Sequence, residues 1–179
     1  MPEDDVNKDA LEAHNRFRAA HGCPRLVYNS GLARSAQNWA NEIAKSGNMR
    51  HSNDKSHGEN LAYRWSSAQV ALSGAEAAQM WYDEIKFHDF NGQFQPKSGH
   101  FTQLIWKDSK SAGFGRAMSA DGHSVYVVGH YSPPGNVMGK FADNVPRAIK
   151  EVKPATTVHP AREIKPKEKK TKDKKCTIL

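Results

Sequence analysis

Two cysteines, Cys23 and Cys176, stand almost a whole chain apart in a sequence of 179 residues. Small secreted domains lean on several disulfides, so no such framework is expected here, and a reducing, intracellular compartment fits better. No apolar run approaches the roughly 18 residues that a membrane span needs. No apolar stretch follows the acidic start Met1-Pro2-Glu3-Asp4-Asp5, so no secretory signal is expected, and Pro2 excludes N-myristoylation, which needs glycine there. A basic stripe interleaved with aromatics is also lacking. Residues 150–179 hold ten Lys/Arg against four Asp/Glu, so nearly all of the +7 net charge lies in the tail. The body is close to neutral, and nucleic acid is not an expected partner. No internal repeat is visible.

What is present reads as helices first and a hairpin late. Val6, Ala10, Ala13, Phe17 and Ala20 recur at helical spacing over residues 6–21, before Gly22 and Pro24. A second helix is expected over residues 30–46, with Leu32, Ala36, Ala40 and Ile43 as its buried stripe. Asn29 or Ser30 caps it and Gly47 stops it. Residues 59–63 read as a short strand. Ser73-Gly74-Ala75-Glu76 has capping-box spacing and opens a third helix, whose inner face carries Ala77, Trp81, Glu84, Ile85 and His88. Gly99-His100-Phe101-Thr102-Gln103-Leu104-Ile105-Trp106 reads as a short buried helix, with His100 in its first turn beside unpaired backbone N–H groups. Strands near residues 112–119 and 124–131 flank the turn Asp121-Gly122. The expected class is α+β, with helices stacked on a small sheet. The expected units are a domain over 1–148, a disordered Lys/Pro-rich tether over 149–175 and a terminal box at 176–179.

Chemistry is expected where polar groups face inward. A carboxylate at Glu84, on the stripe of Trp81 and Ile85, is costly to bury unless it is paired or bound to a cation. It either snorkels to an arginine or meets a histidine. His100 is either a ligand or base on a rigid wall, or a satisfied core histidine. Together with His51 and Glu59, the two would form a set of two imidazoles and two carboxylates, suited to zinc or a similar divalent ion in a partly open site. The four residues are scattered over fifty positions, unlike a compact metal motif, so the pattern alone does not decide between these readings.

Gly99-His100-Phe101-Thr102-Gln103-Leu104-Ile105-Trp106 resembles the first signature of the CAP superfamily, the cysteine-rich secretory, antigen 5 and pathogenesis-related 1 proteins. Val127-Val128-Gly129-His130-Tyr131-Ser132-Pro133-Pro134-Gly135-Asn136-Val137 resembles the second. His51-Ser52, Gly58-Glu59-Asn60-Leu61-Ala62 and Trp81-Tyr82-Asp83-Glu84 are similar to three further blocks, in the same order over about residues 6–145. The resemblance implies a three-layer α-β-α sandwich whose cleft holds His51, Glu59, Glu84 and His100. It also implies a cleft that binds divalent cations in some members, and ligands such as sterols, fatty acids or anionic phospholipids. A general enzymatic activity is not established for the family, so the resemblance does not imply an enzyme. Gly129 departs from the pattern, which has cysteine there, and the disulfides of secreted members are not expected. The chain is similar to the Golgi-associated plant pathogenesis-related group, whose members are cysteine-poor and sit on membranes.

Cys176-Thr177-Ile178-Leu179 reads as a C-a-a-X box in which the final leucine favours geranylgeranyl transfer. Lys165, Lys167, Lys169, Lys170, Lys172, Lys174 and Lys175 precede it. One lipid chain anchors only marginally, and each lysine near an anionic leaflet adds about 1 kcal/mol. The expectation is a lipid-anchored protein on the cytosolic face of Golgi or other endomembranes, or of the plasma membrane. It would bind lipids or partner proteins, a second copy of itself among the candidates. The alternatives are a metal-assisted hydrolase, in which His51 and His100 hold the cation and Glu59 or Glu84 is the base, and an unconventionally secreted extracellular binder.

Overall fold

In the computed structural model, which describes residues 5–152 and 174–178, the first helix starts where Asp5 turns its carboxylate back onto the N–H groups of Asn7 and Lys8. That cap satisfies donors with no partner inside the helix. The helix, α1, runs Val6–Ala20 and is followed by the two-residue strand β1, Val27–Tyr28. α2 (Ser30–Ser46) is capped by the Asn29 side chain and ended by Gly47 in left-handed backbone. β2 (Gly58–Ser66) is longer than the expected strand over 59–63.

α3 (Gly74–Tyr82) opens with a full capping box between Ser73 and Glu76. It stops sooner than its apolar spacing implied. From Asp83 to Phe87 the chain tightens into a 3-10 turn, so Glu84 does not share a helical stripe with Trp81. α4 (Gly99–Ile105), β3 (Ser111–Met118), β4 (Ser124–Ser132) and the single turn α5 (Phe141–Asn144) follow. The last strand, β5, is Lys174–Ile178.

The sheet order is β1-β3-β4-β2-β5. β1 pairs with β3 in parallel, and the other neighbours are antiparallel. α2 covers one face through Ala36, Ala40 and Ile43, which pack on Leu61, Tyr126 and Val128. α1, α3 and α4 cover the other, where Phe17, Trp81, Phe101, Leu104 and Phe114 form the larger core. The fold is therefore the expected three-layer α-β-α sandwich.

Residues 149–152, assigned by sequence to the tether, stay on the body: the Ile149 N–H donates to the Ala20 carbonyl at 2.8 Å, and Val152 packs against the core. Lys174 and Lys175, also assigned there, belong to β5. The rest of the expected tether, residues 153–173, and Leu179 of the terminal box lie outside the described residues. Cys176 falls opposite Arg64 in the β2–β5 register. Cys23 is buried and free, and burial pushes its thiol pKa up, which keeps it protonated and inert.

Candidate functional site

Glu59 is the second residue of β2, and period-two alternation puts it on the same face as Leu61, toward α2. Across the ladder it stands opposite His130 of β4. Its side chain is only 7% exposed, yet three donors converge on it. His51 donates from Nδ1 to Oε1 at 2.7 Å, and the Ser52 backbone N–H donates to the same oxygen at 2.9 Å. His130 donates from Nε2 to Oε2 at 3.0 Å. Burial alone would raise the carboxyl pKa. The hydrogen bonds from His130, His51 and Ser52 outweigh it and hold the group well below the usual carboxylate range. Glu59 is therefore ionised at neutral pH.

Glu84 answers the question its sequence position raised: its partner is a histidine. His100 donates from Nδ1 to Oε1 at 2.7 Å. The other oxygen accepts the backbone N–H groups of His100 at 3.0 Å and Phe101 at 3.2 Å. These belong to the first turn of α4, so the carboxylate caps that helix while orienting its histidine.

The structure thus assembles the four expected residues as two His–Glu pairs, His51–Glu59 and His100–Glu84. Asn60 ties the two regions together, donating from Nδ2 to the His100 carbonyl at 3.0 Å. Tyr131 stands beside Asn60 at 3.3 Å and donates its hydroxyl to His14 Nε2 at 2.8 Å. Burial pushes the His14 pKa down to about 3, so this imidazole stays neutral. Among the described residues, no three His, Cys, Asp or Glu side chains converge as a ready-made metal cluster. The donor chemistry nonetheless suits a cation. A carboxylate on Nδ1 keeps the proton there and the lone pair on Nε2, the arrangement in which histidines ligate metals.

Two participants were not singled out from the sequence. His130 shares Glu59 with His51, and His57 stacks on His130 with ring centroids 3.8 Å apart. Alternation along Val125-Tyr126-Val127-Val128 is the signal that could have aimed His130 at Glu59. Using it requires the register between β2 and β4, which are far apart in sequence.

Comparison with known proteins places the chain in a family. The profile of the family described as "CAP: Cysteine-rich secretory protein family" matches residues 11–131. The chain belongs to the CAP family. It is 40% identical over 145 residues to Golgi-associated plant pathogenesis-related protein 1 of Homo sapiens, covering 78% of this chain and 91% of that protein. It is 39% identical over 137 residues to pathogenesis-related protein 1C of Nicotiana tabacum, covering 74% and 78% respectively. Among solved structures, BmVAL-1 superposes with a TM-score of 0.65 at 26% identity, covering 77% of this chain and 80% of that one. The CAP domain here carries Gly129 at the position before the His130-Tyr131 pair. No helix among the described residues is long and apolar enough to cross a membrane.

Proposed function

We propose that this CAP protein works on a membrane surface, where it binds lipids or partner proteins rather than turning over a substrate. The observation that carries the reading is the likeness to a Golgi-associated relative across nearly all of that relative's length. The Lys-rich segment ending in Cys176-Thr177-Ile178-Leu179 supplies the means of attachment: a prenyl group on Cys176, reinforced by lysines against anionic headgroups. Anchoring of this kind would draw the terminal segment off β2. Cys176→Ser is expected to move the protein from the membrane fraction to the soluble fraction on cell fractionation. Unchanged membrane partition would overturn the anchor.

The paired histidines support a divalent-cation site in the same domain, with zinc as the ion that imidazole pairs favour. His51 and His100 would hold it through Nε2, with Glu59 and Glu84 behind them as orienting carboxylates. A bound cation would supply a Lewis-acidic point for an oxygen of the lipid or partner. Calorimetric titration with zinc should show one site that His51→Ala and His100→Ala each weaken by about tenfold or more. Wild-type protein that binds no zinc would sink the cation reading and leave the membrane reading standing.

A further inference from the structure

Behind Glu59, on the α2 side of the sheet, a cleft of about 480 Å³ runs between α2 and the loop before β2. Arg34, Trp39 and Glu42 line it from α2, Asp54 and His57 from the loop, and His130 from β4. Its floor gathers polar atoms that folded interiors usually satisfy. His130 is 1% exposed and His57 8% exposed, yet His130 Nδ1 and both ring nitrogens of His57 are buried without a hydrogen-bond partner. His57 Nε2 lies 3.4 Å from Asp54 Oδ2, within ion-pair distance but not aligned as a hydrogen bond. Buried polar atoms are nearly always satisfied, and a cluster left unsatisfied in a cleft wall calls for a partner.

We propose that this cleft binds a neutral polyhydroxylated ring, one or two sugar units in length. His130 Nε2 donates to Glu59, so the neutral ring presents a lone pair at Nδ1. A hydroxyl suits that nitrogen, and those of His57, because it donates and accepts from the same atom. Glu42 and Asp54 accept from further hydroxyls, and Arg34 donates to ring or bridging oxygens. Trp39 adds an aromatic wall, its indole held by an Nε1–H bond to the Arg50 carbonyl at 3.0 Å. One charged donor and two carboxylates leave the lining net negative, which disfavours phosphate and other anions. The volume admits one or two pyranose rings and falls in the range of small-molecule sites.

The test is a titration of the full chain followed by the Trp39 indole resonance in two-dimensional proton–nitrogen NMR. The probes are methyl glucopyranosides, methyl mannopyranoside, N-acetylglucosamine, cellobiose and chitobiose, with myo-inositol 1-phosphate as the anionic counterpart. At least one neutral sugar should shift Trp39 saturably, with a dissociation constant of about 1 mM or tighter. Glu42→Ala and Asp54→Ala, both exposed positions chosen to spare the fold, should each weaken that sugar by about tenfold. The proposal is overturned if no sugar shifts Trp39 up to about 100 mM, or if the shifts persist undiminished in the Glu42→Ala/Asp54→Ala double variant. Tighter binding of inositol phosphate than of every neutral sugar would overturn it as well.

Discussion

Arg18→Met is expected to destabilise the domain by about 4 kcal/mol or more, enough to consume much of a typical folding free energy. Arg18 is wholly buried on α1, and its guanidinium faces backbone oxygens. Nε donates to the Pro24 carbonyl at 2.7 Å, Nη1 to those of Leu104 and Trp106 at 3.0 and 2.8 Å, and Nη2 to that of Ser109 at 3.0 Å. Leu104 and Trp106 stand at the C-terminal end of α4, where carbonyls have no intrahelical donor and carry the negative end of the helix dipole. A cation is therefore stabilised there by peptide dipoles. Burial lowers its pKa to about 10, which still leaves it charged at neutral pH. Methionine would fill much of the space but strip these carbonyls of their guanidinium donors, leaving that of Trp106 with only the Ser109 N–H at 3.2 Å. Lysine, a point donor in place of a planar fork, reaches fewer of them and should fall between. Urea denaturation of the three proteins reads the difference. A loss below about 1 kcal/mol for Arg18→Met would mean that these bonds merely replace water at little gain. Because the same contact fixes the far end of α4, the His100–Glu84 pair should lose definition along with stability.

That contact was invisible to pattern reading for a simple physical reason. The apolar period of α1 sorts Ala10, Ala13, Phe17 and Ala20 inward and treats polar residues as the outer face. His14, Asn15 and Arg18 are buried all the same, each because the backbone or a tyrosine supplies the partner that burial demands. The stops of α1 and α2 and the cap of α2 were legible because they are local events, a left-handed glycine after each helix and the Asn29 side chain. The end of α3 was not. Its apolar spacing continues through Ile85, while the turn at Asp83 is set by where Glu84 must go to meet α4. Inward-facing polar groups and the family blocks pointed to the same two histidines and two glutamates. The sharing of Glu59 between His51 and His130 depends on a strand register between segments some seventy residues apart.

Gly113→Ala carries the second large expectation, a loss of about 3–5 kcal/mol, with Gly113→Val failing to fold. Gly113 and Gly115 lie two apart on β3, both on the face that α2 crosses. A Cβ on Gly113 would stand 2.6 Å from Ala33 Cα and press directly on the Ala33 backbone nitrogen, and one on Gly115 would meet the backbone at Gln37. The obstacle is main chain rather than a rotatable tip, so the helix must lift. Lifting it removes more than packing. Beyond its short pairing with β1, the outer edge of β3 is satisfied by side chains. Asn7 Oδ1 accepts the Phe114 N–H at 2.7 Å, and the Gln37 amide accepts the Arg116 N–H at 3.0 Å while donating to its carbonyl at 2.8 Å. Gln37 can imitate a neighbouring strand only while α2 lies this close. Ala33→Gly should not rescue Gly113→Ala, because the clash is with atoms that glycine keeps. Recovery of stability in that double variant would place the cause in the Ala33 methyl and refute the close-approach account. Hydrogen exchange should show protection lost first at the Arg116 and Phe114 amides, on the edge that α1 and α2 side chains cover. Glu59, His130 and the cleft floor lie beneath α2 on this same face, so Gly113→Ala should loosen the site's geometry even in the fraction of molecules that still fold.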